Sequence, residues 1–105
     1  MGTVNPYLRR KSQEFKLIPI KRDGETDLPP LTFSQDQSEL NRANLEANNT
    51  TITRKLQATI EYQDGKWMIY NGCEHLTTFI CVQEAHELKD GDIILMGDRR
   101  FEFKV

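Results

Sequence analysis

Short runs in which apolar and polar residues alternate recur along the chain, separated by turns rich in Gly, Asp, Asn and Pro. Glu14 to Ile20 (EFKLIPI) is the first, and strand geometry sets Phe15, Leu17 and Pro19 on one face. Its proline predicts a strand end or an edge, because proline brings no N–H to a ladder. Residues 21–30 (KRDGETDLPP) read as a turn-rich loop, and short strands are expected at Leu31–Phe33 and around Glu39–Arg42. Residues 43–51 (ANLEANNTT) read as a polar connection that turns at Asn48-Asn49, since asparagine tolerates left-handed backbone and caps turns with its own amide. Leu40 and Leu45 do not hold a helical spacing, so no helix is expected over 37–47.

The second half is patterned more regularly. Ala58–Gln63 (ATIEYQ) and Lys66–Tyr70 (KWMIY) flank Asp64-Gly65, the dipeptide that a tight hairpin turn with two positive φ angles prefers. Thr78–Val82 (TFICV) predicts another strand, and Asp90-Gly91 introduces a buried strand over Asp92–Met96. Gly97-Asp98 then turns into Arg99–Lys104, where Phe101 and Phe103 alternate with Arg100, Glu102 and Lys104. Many short strands with turn residues between them predict an all-β sandwich.

Composition narrows the function. The 105 residues make one domain, with residues 1–13 a basic, aperiodic arm and 14–105 the folded part. A net charge of -2 argues against nucleic acid as partner. The arm region is the exception, because residues 1–22 hold Arg9, Arg10, Lys11, Lys16, Lys21 and Arg22 against the single acid Glu14. No signal peptide or membrane-length apolar stretch is visible, so a cytoplasmic, monomeric protein with Cys73 and Cys81 as thiols is expected. The sequons at Asn48 and Asn49 then carry no weight.

Catalytic and metal chemistry find little support. There is no phosphate-cradling glycine loop and no nucleophile elbow. His75 and His86 fall on loop-like segments, and their spacing from Cys73 and Cys81 is not that of a zinc site. Asp90-Gly91-Asp92 lacks the further ligands of a calcium loop. Neither an enzyme nor a cofactor is expected. One cluster does point to a ligand: Arg42, Thr53, Arg54 and Lys55 lie in or beside connections between early strands, where a sandwich gathers binding residues. Guanidinium groups grip phosphate bidentately, and each charge-assisted hydrogen bond contributes about 1.5–3 kcal/mol.

Leu40-Asn41-Arg42 resembles the Gly-Arg at an early strand end of the forkhead-associated (FHA) domain. Ile52-Thr53-Arg54-Lys55 with Gln57-Ala58 resembles that family's Ser-Arg-x-His-Ala, and Thr78-Phe79-Ile80 its Gly-Thr-Phe-Val strand. Leu88-Lys89-Asp90-Gly91-Asp92-Ile93-Ile94 through Gly97, with Phe101-Glu102-Phe103, matches its C-terminal pattern closely. The resemblance implies an FHA/SMAD-like β-sandwich of about 10–11 short, mainly antiparallel strands. It implies an interaction module of bacterial signalling whose apical loops take a protein or phosphothreonine peptide.

By the same resemblance Arg42 would hold phosphate or peptide backbone, and the phosphate-binding serine maps to Thr53 or, if Ala58 anchors the register, to Arg54 with Gln57 at the structural histidine. Lys55 would add charge. The family's peptide-gripping asparagine falls on Leu76, followed by Thr77, and leucine has no polar group for that task. A divergent branch, or a degenerate scaffold that docks a partner without phosphorylation, is the alternative implied.

Overall fold

The structure is a computed structural model, and it describes residues 13–72, 78–79 and 85–105. Two antiparallel sheets are built from β1 (Phe15–Pro19), β2 (Leu31–Phe33), β3 (Gln37–Leu40), β4 (Ala58–Gln63), β5 (Lys66–Asn71), β6 (Thr78–Phe79), β7 (Ala85–Leu88), β8 (Ile93–Met96) and β9 (Arg99–Lys104). One sheet runs β2-β1-β9-β8-β6 and the other β3-β4-β5-β7. A single turn of helix, α1 (Arg42–Leu45), lies between β3 and β4.

Alternation does what the sequence predicts. In β9 the side chains of Arg99, Phe101 and Phe103 are buried, while the residues between them reach the surface. In β1 Phe15 and Leu17 are buried, and Pro19 ends the strand opposite Phe101. These residues meet Leu40, Ala58, Ile60, Trp67, Ile69 and Leu88 of the second sheet in one core. Trp67 joins the layers, with its ring 5.0 Å from Phe15 and 5.8 Å from Phe103, each edge to face. Edge-to-face rings satisfy the aromatic quadrupoles as well as burying area. The hairpin turn between β4 and β5 takes φ of 49° at Asp64 and 80° at Gly65, as the Asp-Gly signal requires.

Several expectations are corrected. Residues 42–45 are helical, not strand and polar loop, and the cause is capping rather than periodicity. Asn41 Oδ1 accepts from the Asn44 N–H at 3.1 Å, and Asn44 Oδ1 accepts from the Asn41 N–H at 2.9 Å. This reciprocal cap satisfies two end donors, so one turn forms with only Leu45 buried. His86 lies in strand β7, paired opposite Ile69 of β5, rather than in a loop. Strand β8 is buried on one face only, since Ile93 is 44% exposed. Asn49 does cap a turn with its amide, but Asp64 is the sole non-glycine with positive φ among the described residues, so the Asn48-Asn49 backbone is not left-handed.

Candidate functional site

Residues 41–57 form the connection from β3 to β4, and backbone bonds fold it onto itself. The Arg42 N–H donates to the Thr53 carbonyl at 2.9 Å, and the Gln57 N–H to the Leu40 carbonyl at 2.8 Å. Arg42 and Thr53, eleven positions apart in sequence, therefore sit side by side. Burial of Leu45 and Ile52 fastens the connection to the core.

Arg42 is half-buried, and its guanidinium points along its own loop. Nε donates to the Ile52 carbonyl at 2.9 Å and Nη2 to the Thr50 carbonyl at 3.4 Å. Thr53 Oγ1 accepts from the Lys55 N–H at 3.2 Å, and its hydroxyl can still donate one hydrogen bond to another acceptor. Arg54 and Lys55 are exposed, and neither side chain enters an ion pair among the described residues. Three cations and a hydroxyl thus stand on one connection, and none of the three cations enters an ion pair among the described residues. Such a surface attracts a compact anion. Leu76 and Thr77 lie outside the described residues.

Gln57 is fully buried, and its Oε1 accepts from the Thr53 N–H at 3.1 Å. A buried polar side chain bridging backbone at this point fixes the path of residues 53–57. Arg54 stands three positions before Gln57 on this segment.

Sequence reasoning missed the polar frame behind this connection. Arg99 is 2% exposed and uses all five guanidinium N–H groups. Nη1 donates to Glu25 Oε1 at 2.7 Å and to the Ile20 carbonyl at 3.0 Å. Nη2 donates to Glu25 Oε2 at 2.7 Å and Glu46 Oε2 at 2.9 Å, and Nε to Glu46 Oε1 at 3.1 Å. Hydrogen bonds from Arg99 lower the Glu25 carboxyl from 4.5 to about 2, and hold Glu46 below the usual range too. Arg99 in turn is raised by the two carboxylates. The parity of β9 was the available signal, because Arg99 shares the face of Phe101 and Phe103.

The turn after β8 closes on the same connection. Asp98 Oδ1 accepts from Asn49 Nδ2 at 2.7 Å and pairs with Arg22 Nη2 at 2.8 Å. Gly97 is required there, since its φ is +62° and a Cβ would lie 2.4 Å from Thr51 Oγ1. Among the described residues no group of His, Cys, Asp and Glu is arranged to hold a metal, and no helix is long and apolar enough to cross a membrane.

No family model and no curated protein matches the sequence. Solved structures do match the fold. An FHA domain studied for phosphothreonine-dependent interactions superposes with a TM-score of 0.69 at 14% identity, covering 89% of this chain and 97% of that one. The FHA domain of the CT664 protein from Chlamydia trachomatis gives 0.69 at 13% identity, covering 89% and 98%. The FHA domain of human APLF, solved in complex with an XRCC1 bisphospho peptide, gives 0.56 at 19% identity, covering 89% and 99%. With two antiparallel sheets in this arrangement, the chain has the forkhead-associated β-sandwich fold.

Proposed function

We propose that the chain is a phosphothreonine-peptide recognition module, without catalytic role, that binds through the β3–β4 connection. One observation carries the reading: Arg42, its guanidinium set by the Ile52 and Thr50 carbonyls, shares that connection with Thr53 and with Arg54 and Lys55, which enter no ion pair among the described residues. A dianionic phosphate needs several charge-assisted donors converging on one spot. The FHA domain of human APLF, a neighbour in fold, was solved in complex with an XRCC1 bisphospho peptide, which supports a phosphopeptide as the class of ligand.

The roles follow from the register anchored on Ala58. Gln57 takes the place of the family's structural histidine, and Arg54 falls where the phosphate-binding serine stands. A guanidinium there exchanges one neutral hydroxyl donor for a charged fork, and Thr53 adds a hydroxyl beside it. Leu76 and Thr77 complete the candidate set on the resemblance alone. The proposal also includes a monomeric domain over 14–105 with a basic arm over 1–13, acting in bacterial cytoplasmic signalling, which the resemblance suggests.

The test is a titration of the ¹⁵N-labelled protein with a degenerate phosphothreonine peptide library, its unphosphorylated counterpart and phosphoserine peptides. Saturable amide shifts at residues 42 and 53–55, only with phosphothreonine and weakening as salt rises, are expected. Arg54→Ala should then weaken binding about tenfold, the loss of one charge-assisted contact. Absence of shifts at about 1 mM peptide would overturn the proposal and leave a scaffold that docks its partner without phosphate.

A further inference from the structure

We propose that Arg99, buried on β9, is a positioning residue that aims the Arg42 guanidinium through Glu46 and Asn49; the inference rests on the phosphopeptide reading above. The path is a continuous series of directional bonds. Arg99 clamps both oxygens of Glu46, through Nε at 3.1 Å and Nη2 at 2.9 Å. Glu46 Oε1 also accepts from Asn49 Nδ2 at 2.9 Å. The second proton of that amide goes to Asp98 Oδ1 at 2.7 Å, while Asn49 Oδ1 accepts from the Thr51 N–H at 2.9 Å. The Asn49 carbonyl accepts from the Ile52 N–H at 3.2 Å. The Thr50 and Ile52 carbonyls that emerge from this turn are the two that receive Arg42.

Every joint in the series is saturated. Arg99 spends all its donors, with Glu25 and the Ile20 carbonyl holding the side away from Glu46, so the guanidinium has one orientation. The Asn49 amide has both protons and its oxygen engaged. Burial of Leu45 and Ile52 also anchors the connection, but burial is non-directional. It keeps the segment on the core without deciding where the carbonyls of 50 and 52 point. The direction of Arg42 is therefore set by the polar path, and its origin lies on the far side of the chain, 53 positions from Glu46.

The prediction is read on Arg42 itself, by the side-chain Nε–Hε resonance and its exchange with water, and in parallel by phosphothreonine-peptide affinity. Arg99→Lys keeps the charge and loses the fork. Asn49→Ala cuts the path at a residue whose loss leaves the core intact, and covers the case in which Arg99→Lys fails to fold. Ile60→Val serves as a control that lowers stability without touching the path. Both path variants should speed Arg42 Hε exchange about tenfold or more and weaken peptide binding, while Ile60 and Phe103 amides stay protected and the control leaves Hε unchanged. Unchanged Hε exchange in the folded variants overturns the inference. Failure of the wild-type protein to bind any phosphothreonine peptide sinks the functional reading instead, and Hε exchange still decides the path.

Discussion

The β8–β9 hairpin and the β3–β4 connection belong to one core, yet they are held by different forces. The hairpin buries Ile94, Met96, Phe101 and Phe103 and closes a ladder of main-chain pairs from Ile93 opposite Glu102 to Met96 opposite Arg99. The connection, longer by several residues, buries only Leu45 and Ile52 as apolar side chains. Its shape comes from directional side-chain bonds: Asn41 and Gln57 accept from the Asn44 and Thr53 N–H groups, Arg42 donates to the Ile52 carbonyl, and Asn49 donates to the Glu46 carboxylate. Burial tolerates many sequences of the right pattern, whereas a hydrogen-bond network tolerates few. A scaffold made the first way can keep its fold while a recognition surface made the second way changes residue by residue.

The largest effect that distinguishes the two regions is expected at Phe103. Its ring is fully buried and touches both Phe15 and Trp67, so Phe103→Ala should cost about 3–5 kcal/mol. The fall in guanidinium midpoint at unchanged slope measures it. Arg54→Ala, on an exposed position of the connection, should move the same midpoint by less than about 0.5 kcal/mol. A small loss at Phe103, or a large one at Arg54, would break the division between scaffold and recognition surface.

That division also explains what the sequence disclosed. The hairpins were legible because period-two alternation and Asp64-Gly65 are local signals, and φ at both turn residues bears them out. Strand β7 was not, because AHEL buries only Leu88 fully and owes its conformation to pairing with β5. Helix α1 was hidden for the opposite reason: its apolar spacing is uninformative, and the Asn41–Asn44 pair that makes it uses an asparagine at the position where capping boxes usually carry Glu or Gln. At the site, the sequence picked out Arg42, Thr53, Arg54 and Lys55, and the fold gathers them on one connection. It gave no hint of Glu25 and Glu46 as partners of Arg99, since 74 and 53 residues separate them and only the tertiary structure closes those gaps.

Arg99 offers the intermediate effect, and one with a pH signature. Arg99→Met leaves Glu25 and Glu46 without their cation. Each carboxylate side chain is about a third exposed (31% and 30%) and can recover water, so the cost of losing Arg99 should fall to about 2 kcal/mol, below that of a fully buried pair. The Glu25 carboxyl stands at about 2 in the folded chain against an ordinary 4.5, so the folded state binds fewer protons than the unfolded one between those values. Its contribution is complete above pH 4.5 and drains away as pH falls through about 2. Wild-type stability should therefore decline on acidification across that window, and the decline attributable to this cluster should flatten in Arg99→Met. Denaturant midpoints measured at closely spaced acidic pH values check both the offset and the slope. An equal acid slope in the two proteins would mean that other carboxylates set the acid limit.

A smaller effect than that of Arg99 tests whether the connection is polar in its energetics as well as in its geometry. Asn41→Ala removes the side chain that accepts from the Asn44 N–H, while the backbone N–H of residue 41 can still donate to Asn44 Oδ1 and Asn44 Nδ2 keeps its 2.8 Å bond to the Glu39 carbonyl. Loss of an N-cap of this kind costs about 1 kcal/mol, and Asn41→Ser, which restores a capping oxygen, should recover most of it. The denaturation midpoints of the three proteins give the stabilities, and amide exchange at Leu45 and Glu46, whose N–H groups bond to the Asn41 and Arg42 carbonyls, reports the turn directly. Faster exchange there in Asn41→Ala, with the β8–β9 amides unaffected, would show that α1 opens as a local unit governed by its cap. A turn that keeps its protection without the cap would be held by the burial of Leu45, and the connection would then resemble the hairpin more than its hydrogen bonds suggest.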